Sequence, residues 1–489
     1  MKKQFTGRAV SAILFPIMAA AACLSPLVAC KKAPEDDSYV VATRHADESD
    51  RVYALSFPDA IGKDVMPVGS YAGPHSEDRV YKGQELPSMV SERYFDLYKQ
   101  MGLNLFTSTL NSKDGKIEEF LTLCDEYDMG AFITFDELFN TTAANYVTTI
   151  SLEDALSEFA ENHKSLIGFN LRDEPTKSEI DILQNTTDAL AESSYAETMY
   201  AYVNALPEYA GSNHYWGPGS AESWETYLRA YCEQLQPKFL SFDFYPWHIG
   251  RDGKEAYNSG YIKALSVTRK VANDFKIPVW SCKQTGSIFE TADYPMSVQK
   301  ILPNEDKFRW QMSIDLAYGV KGFTYFLLCG DALSYDENIW EEGIDQYFGL
   351  FNAYTGEPNV WFYYAEEFKK HLTQIEKILM NSCHDGVITC GTVKEKHNIG
   401  NELIASGSYH ELESVEGSVS LIGCYNYKGQ TVLYVTNNSY SENGSVTLNF
   451  KDKYGYTVYQ KDQKTDKAGK SLTLDLLPGE GVMVMLKYA

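Results

Sequence analysis

The sequence predicts a (β/α)₈ barrel followed by a small C-terminal antiparallel β-sandwich. Eight short apolar or β-branched runs recur between residues 65 and 326, and stretches with helical periodicity separate them. Beyond residue 386 the pattern changes to period-two alternation interrupted by turn residues. Eight buried strands that alternate with helices fit a closed parallel barrel covered by helices on its outer face. An open doubly wound sheet is the alternative, although no Gly-rich turn of the GxGxxG type follows an early strand.

The predicted elements follow one another in a regular order. The eight barrel strands are predicted at 65–69, 103–107, 131–135, 166–170, 199–203, 239–242, 277–281 and 322–326. Apolar residues three and four positions apart predict covering helices, among them 91–101, 117–127, 152–163, 223–235 and 261–275. A last helix over about 360–380 closes the barrel, and 381–386 marks the boundary to the second domain. Strands of that domain are predicted at 420–425, 431–437, 445–450, 457–460, 471–476 and 481–486, with turns at 428–429, 442–444 and 478–481.

The start of the chain has the order of a bacterial export signal. Lys2, Lys3 and Arg8 precede an apolar stretch over 9–22 that is too short for a permanent membrane span. Residues 27–30, Leu-Val-Ala-Cys, then resemble the lipobox, in which the cysteine after the cleavage point is acylated. A secretory peptide that is cut elsewhere is the alternative.

These patterns define the expected domains and location. We expect a signal peptide at 1–29, a polar tether and N-terminal extension at 30–60, the barrel at 61–382 and the β-sandwich at 383–489. The protein would then be exported and held at a membrane by a lipid on Cys30.

Composition limits the partners. The 67 acidic and 43 basic residues give a formal net charge of −24, which argues against a nucleic-acid partner because phosphate binding needs a basic face. A neutral or cationic partner is compatible with this charge, as is a merely well-solvated surface.

The cysteines and histidines indicate neither a disulfide framework nor a metal site. Without Cys23 and Cys30, seven cysteines remain, with no CxxC pair, and we expect buried thiols. His75, His214 and His248 follow predicted strands at spacings that match no metal motif. We therefore predict no cofactor.

Candidate catalytic residues follow the predicted strands, because barrel enzymes carry their catalytic groups at the C-terminal strand ends. The polar residues there are Asp136 and Glu137, Arg172, Asp173 and Glu174, Asn204, Asp243 and Tyr245, Gln284, and Asp331. Glu174 is the candidate general acid, since repulsion from Asp173 would raise its pKa, while Arg172 would lower it. The alternative is that residues 173–175 only cap the following helix.

Four segments carry a family resemblance. They are 171–175, 203–210, 240–246 and 316–326, and they lie within a region of similarity over about 66–380. Together they resemble the clan of barrel glycoside hydrolases that includes the β-galactosidase-like families, and more closely a branch of exported bacterial lipoproteins within it. In that clan an Asn-Glu pair at the end of strand four supplies the acid/base. The resemblance implies an extracellular carbohydrate substrate, no cofactor, and Glu174 as the acid/base.

The sequence departs from that clan at strand seven. The clan has its nucleophilic Glu there, whereas residues 277–286 contain no carboxylate and Gln284 stands nearest that place. We expect Asp243 to take the role, with Asp136, Glu137 and Asp331 as further candidates. A structural hydrogen bond is the alternative role for Asp243. The competing hypothesis for the whole protein is a surface lipoprotein that captures glycans without cutting them.

Further residues are candidates for substrate binding. They are Asp173, Arg172, Asn204, Tyr245, Trp247, Trp216, Gln284, Asp136 and Asp331. Trp216 and Trp247 are the expected platform for the C–H faces of a sugar, although large aromatic residues more often belong to the core. Arg172 and Lys283 either orient a sugar hydroxyl or pair with Asp173 or Asp243.

Overall fold

The structure is a computed structural model. It describes residues 38–81, 84–107, 110–135, 151–249, 255–286, 304–329, 349–352, 355–391 and 407–488. The chain divides into two units, Met1–Ser38 and Tyr39–Ala489, and every element below belongs to the second. The predicted signal peptide and Cys30 lie outside the described residues.

The elements of the first domain alternate as the sequence predicts. In chain order they are β1 (Val68–Tyr71), β2 (Arg79–Tyr81), β3 (Gln84–Leu86), α1 (Glu92–Met101), β4 (Leu105–Phe106), α2 (Ile117–Tyr127), β5 (Gly130–Ile133), α3 (Leu152–Ala160), β6 (Leu166–Asp173), α4 (Lys177–Glu192), β7 (Tyr200–Ala205), α5 (Ser212–Trp216), α6 (Trp224–Leu235), β8 (Leu240–Asp243), β9 (Trp247–Ile249), β10 (Glu255–Tyr257), α7 (Tyr261–Phe275), β11 (Val279–Gln284), α8 (Glu305–Ala317), β12 (Gly322–Phe326) and α9 (Val360–Met380). Short 3₁₀ turns occur at Ser49–Arg51 and Glu208–Ala210.

Eight of these strands form a closed parallel barrel in the order β1, β12, β11, β8, β7, β6, β5, β4. Strand β1 closes it, because Val68 pairs with Phe323 of β12 on one side and Gly69 pairs with Leu105 of β4 on the other. The predicted (β/α)₈ barrel is therefore confirmed, and the open doubly wound sheet is excluded. Each observed strand overlaps its predicted run.

The N-terminal extension contributes to the barrel interior. Phe57 and Ile61 join a buried cluster with Phe132, Tyr202 and Trp280, which project from β5, β7 and β11. The ring of Phe57 meets that of Trp280 edge to face at 6.2 Å. The extension therefore fills space that barrel strands alone leave, in keeping with a packed rather than open barrel core.

The second domain is antiparallel. Its strands are β13 (Cys383–Cys390), β14 (Leu412–Gly417), β15 (Ser420–Tyr427), β16 (Gln430–Asn437), β17 (Gly444–Gln460), β18 (Gln463–Leu476) and β19 (Gly481–Leu486). They form one hydrogen-bonded sheet in the order β13, β15, β16, β19, β17, β14, with β18 paired to β17. The predicted antiparallel domain is confirmed.

This sheet encloses a core because its long strand changes partners along its length. The first half of β17 pairs with β14, and its second half, from Tyr456, pairs with β19. Val446 and Leu448 of the first half share one buried cluster with Ile422 and Leu433 of β15 and β16. One bent sheet thus provides the two faces that a β-sandwich obtains from two sheets.

Helix α8 lies between the barrel and the β-domain and is buried on nearly all sides. Strand β15 approaches it closely at Gly423, where a Cβ atom would lie 2.5 Å from the Ala317 carbonyl oxygen. Trp310 of α8 donates a hydrogen bond to Asn438 of the β-domain at 3.1 Å. A helix covered on both sides has no polar face, so it shows little amphipathic periodicity.

Two further findings concern the membrane and the thiols. No helix within the described ranges combines the length and the apolar character needed to cross a membrane. The seven cysteines that follow Cys30 along the chain are buried free thiols at 124, 232, 282, 329, 383, 390 and 424.

Candidate active site

Three neighbouring strand ends bring the candidate catalytic residues together. A bulge between Asn170 and Arg172 shifts the register of β6, so that Asp173 lies directly opposite Asn204 of β7. Asn204 in turn pairs with Ser241, two residues before Asp243 at the end of β8. Bulges of this kind re-aim side chains beside active sites.

Glu174 occupies the first position after β6 in an unusual backbone conformation. Its φ is +48°, in the left-handed region that non-glycine residues rarely adopt. Its N–H donates to the Asn204 carbonyl oxygen at 2.9 Å, which holds this conformation. The following helix α4 is capped by Thr176 and Glu179 in a capping box instead. Glu174 therefore does not serve as the helix cap, and strain of this kind is typical of functional positions.

Asn204 links the carboxyl groups. Its Oδ1 accepts hydrogen bonds from the Ser241 hydroxyl at 3.0 Å and from the Cys282 thiol at 3.7 Å, which fixes the orientation of the amide. Its Nδ2 therefore faces the acids and donates to Asp243 Oδ1 at 3.1 Å and to Asp173 Oδ1 at 3.3 Å. One amide thus holds two carboxyl groups in place.

The carboxyl groups of Glu174 and Asp243 lie within hydrogen-bonding distance of each other. Asp243 is 2% exposed, and burial, followed by the charges of Glu174 and Asp173, raises its pKa well above the usual range. Burial, followed by the charge of Asp173, raises the pKa of Glu174 to about 7. Two like charges this close cannot both persist in a buried site, so the pair shares a proton near neutral pH.

Asp173 completes the cluster as a third carboxyl group. Burial raises its pKa, and hydrogen bonds to Tyr71 and Asn204 oppose that rise. Tyr71 is the last residue of β1 and was not among the predicted site residues. The one sequence signal for it is its place as an aromatic residue at a strand end.

Two cations predicted near the site have other ion-pair partners. Arg172 binds Glu179 of α4 at 2.6 Å, and its charge lowers the pKa of the adjacent Asp173. Lys283 is fully buried between α7 and α8, where it pairs with Asp315 and donates to the Tyr261 hydroxyl at 2.6 Å. The carboxylate partner of Lys283 is thus Asp315 rather than Asp173 or Asp243.

The predicted aromatic and amide residues differ in how deeply they are buried and in what they contact. Tyr245 is buried beside the acids, and its ring lies 5.3 Å from that of Phe326. Trp247 is 1% exposed and packs among other aromatic rings, so in this structure it presents no free face to a sugar. Trp216 is the last residue of α5 and is partly buried. The side chain of Gln284 binds the backbone of Trp247.

Asp136, Glu137 and Asp331 lie outside the described residues, as does the side chain of His248. His214 is exposed on the short helix α5, and the backbone carbonyl of His75 accepts from Met89 N–H at 2.8 Å.

One group of side chains with metal-ligating atoms occurs among the described residues. Glu48, Cys383 and Asp385 place such atoms within 4.8 Å of one another. The group includes residues of β13, away from the barrel strand ends, and Arg51 already forms ion pairs with Glu48 and with Asp385 at 2.5 and 3.3 Å. The arginine supplies the positive charge that this cluster requires.

Comparison with known proteins finds distant structural matches. No protein-family model and no curated protein sequence matches the chain. A solved structure of a candidate α-galactosidase from Bacteroides fragilis is 10% identical with a TM-score of 0.46, over 87% of this chain and 80% of that one. A maltogenic α-amylase from Thermotoga neapolitana is 12% identical with a TM-score of 0.43, over 87% and 99%. An exo-β-1,4-mannosidase from Opitutaceae bacterium strain TAV5 is 16% identical with a TM-score of 0.41, over 67% and 62%. All three TM-scores are below 0.5 and the identities are 10–16%, so no family, reaction or substrate is assigned to this chain from them.

Proposed function

We propose that the protein hydrolyses glycosidic bonds of an extracellular oligo- or polysaccharide, with Glu174 as general acid/base and Asp243 as nucleophile. The observation that carries the proposal is the buried Glu174–Asp243 pair, whose members face each other at the ends of β6 and β8. Glycoside hydrolysis needs one carboxylic acid and one carboxylate on opposite sides of the scissile bond. A pair that shares one proton provides both forms at once.

The first step uses the stored proton. In the free pair the hydrogen bond raises the pKa of Asp243 and lowers that of Glu174, so the shared proton lies on Asp243 and has to move to Glu174 as the sugar enters between the two groups. The Glu174 proton then passes to the glycosidic oxygen, the bond from C1 to that oxygen breaks, and the leaving group departs as an alcohol. The Asp243 carboxylate then bonds to C1. In the second step Glu174, now ionised, takes a proton from water, the water oxygen bonds to C1, and Asp243 is released.

The short separation favours retention of configuration. Retaining enzymes place their carboxyl groups about 5–5.5 Å apart, whereas inverting enzymes leave roughly 6.5–9.5 Å for a water molecule. A hydrogen-bonded pair has to open to admit the sugar in either case, and the retaining distance requires the smaller opening. We therefore propose that Asp243 acts directly on C1.

Capture of glycans without cleavage is the second candidate function. It is favoured by the end of β11, where the described residues up to 286 include no carboxylate. A panel of aryl glycosides and oligosaccharides, assayed for product and for binding by calorimetry, separates the two functions. Turnover supports the hydrolase, and saturable binding without product supports capture.

The proposed acid predicts a pH profile. The pair acts only when it holds one proton, and burial raises the pKa of both members, that of Glu174 to about 7. The profile of kcat/KM should therefore be bell-shaped, because Asp243 has to be ionised and Glu174 protonated, and its alkaline side should fall about tenfold per pH unit. A carboxyl group with its ordinary pKa would lose its proton, and the enzyme its activity, at acidic pH. The raised pKa of Glu174 moves this loss of activity to the alkaline side of the profile. Initial rates on an alkyl glycoside between pH 5 and 9 measure this limb. A rate that stays constant to pH 9 would exclude Glu174 as the acid.

We also propose that the protein is exported and anchored by a lipid on Cys30. This proposal rests on the basic, apolar and Leu-Val-Ala-Cys order of residues 1–30. A clickable fatty acid supplied to expressing bacteria should label the wild type and leave Cys30→Ser unlabelled, as seen by in-gel fluorescence. Cys23→Ser, within the same leader, is the matched control and should label normally. Equal labelling of the Cys30 variant would contradict the anchor.

A further inference from the structure

Gln284 stands where the related clan has its nucleophile, and its side chain is fully engaged. Its Nε2 donates to the Trp247 carbonyl oxygen at 3.0 Å, and its Oε1 accepts from the Trp247 N–H at 3.3 Å. The residue is 2% exposed, so water does not replace these partners. The arrangement needs one donor and one acceptor on the same side chain, which an amide supplies and a carboxylate does not.

A second glutamine repeats the arrangement one layer further out. Gln311 of α8 accepts from the Gln284 N–H through Oε1 and donates through Nε2 to the Gln284 carbonyl oxygen, both at 3.0 Å. Gln311 is completely buried. The two amides in series join α8 to β11 and β11 to the segment that leaves β8.

That segment carries the proposed nucleophile. Asp243 lies opposite Cys282 in the register of β8 and β11, so β11 continues for two residues beyond the end of β8. Gln284 is thus level with residues 244–247 and holds them at Trp247. The ring of Phe244 packs on that of Tyr261 at 5.5 Å and supports the same segment from the helix side.

The β-domain supports this segment as well. The Trp247 ring meets that of Trp310 at 5.3 Å and that of Tyr440, which follows β16, at 5.9 Å. Trp310 immediately precedes Gln311 on α8 and is itself bonded to Asn438. Contacts therefore run without a break from the β-domain to the backbone beside Asp243.

We propose that Gln284 is a positioning residue that holds residues 244–247, and with them Asp243 and Tyr245, and that this position requires an amide rather than a carboxylate. The proposal rests on the proposed function for what Asp243 does, while the clamp itself rests on the contacts above. The seventh barrel strand, β11, then needs no Glu, because its Gln284 positions the carboxylate of Asp243 at the end of the sixth barrel strand, β8.

Gln284→Glu is the direct test, since it changes only the donor. Once ionised, the new carboxylate places an acceptor against the Trp247 carbonyl oxygen, and the loss of that buried hydrogen bond should lower kcat by about tenfold or more. A protonated carboxyl group would still donate, so the loss should grow as the pH rises through the pKa of the new group. We expect that loss in kcat with little change in KM. Gln311→Glu should give a smaller loss in the same direction, and Gln463→Glu, exposed on β18, should give none. A higher kcat in Gln284→Glu would overturn the proposal, because it would show a nucleophile site restored.

A titration separates this proposal from the proposed function. The carboxyl carbons of Glu174 and Asp243, followed by ¹³C NMR against pH, should titrate differently in Gln284→Glu and in the wild type if the clamp sets the geometry of the pair. Gln463→Glu should match the wild type. Unchanged titration in a folded Gln284→Glu overturns the clamp, whereas absence of turnover by the wild type on every glycoside overturns the hydrolase and leaves the titration to decide the clamp.

Discussion

Glu174→Gln should lower kcat on alkyl glycosides by about 10²- to 10⁴-fold, the range that general acid catalysis supplies. The amide matches the carboxylic acid in shape and can still reach Asp243, so the fold and KM should change little. What is lost is the proton that the glycosidic oxygen receives as its bond to C1 breaks. Steady-state kinetics on the wild type and the variant measure the loss, and the alkaline limb of the pH profile should disappear with it.

The leaving group makes this test specific. A strongly acidic phenol leaves as phenolate without being protonated. The rate of the first chemical step should therefore fall far less in Glu174→Gln on such an aryl glycoside than on an alkyl glycoside. Glu192→Gln is the matched control, since it makes the same change at the exposed end of α4 and should be fully active. Near-full activity of Glu174→Gln on alkyl glycosides would remove Glu174 from the mechanism.

The barrel was predictable because its signal repeats. Each strand is short and ambiguous by itself, but eight apolar runs separated by helical periodicity leave few alternatives. The short hairpin of β9 and β10 and the helix α8 were not predicted. The hairpin strands have three residues each, and α8 lies between two domains and so lacks an apolar stripe. Periodicity reveals one-sided burial and fails where burial is two-sided or the element is too short.

The candidate site could be predicted only as far as the ends of the barrel strands could be located in the sequence. Glu174 and Asp243 were predicted because both follow strands of the barrel, and the structure brings them together. The hydrogen bond of Ser241 to Asn204 and the contact of Tyr71 with Asp173 were not predicted, because they join residues 37 and about 100 positions apart. Such pairs depend on register, which a single sequence does not reveal.

The same limit explains Gln284. In the sequence Gln284 marks only the absence of a carboxylate, because its hydrogen-bond partners lie 37 and 27 residues away along the chain. In the structure the Gln284 side chain binds the backbone N–H and carbonyl oxygen of Trp247, while the Gln311 side chain binds the Gln284 backbone. Backbone partners leave no trace in residue type. A polar residue at a strand end can therefore serve the site without reaching the substrate, and the chemistry of its side chain tells the two roles apart: an amide satisfies a peptide group, and a carboxylate does not.

Asp243→Ala should lower kcat by at least about 10³-fold, because Asp243 is the group that bonds to C1 and Glu174 is engaged as the acid. Asp188→Ala, an exposed change on α4, is the matched control and should retain full activity.

Added azide provides the decisive readout for Asp243, because a small anion can occupy the space that the carboxylate leaves. In Asp243→Ala, azide nitrogen should bond to C1 of an activated aryl glycoside as the phenolate departs, and the rate should rise with azide concentration. The product should be a glycosyl azide of inverted configuration, identified by NMR, while the wild type hydrolyses the same substrate with retention. Inverted sugar as the first product of the wild type would instead make Asp243 a base that activates water. When substrate binds, the hydrogen-bonded pair would then have to open further than retention requires, to the roughly 6.5–9.5 Å that leaves room for that water.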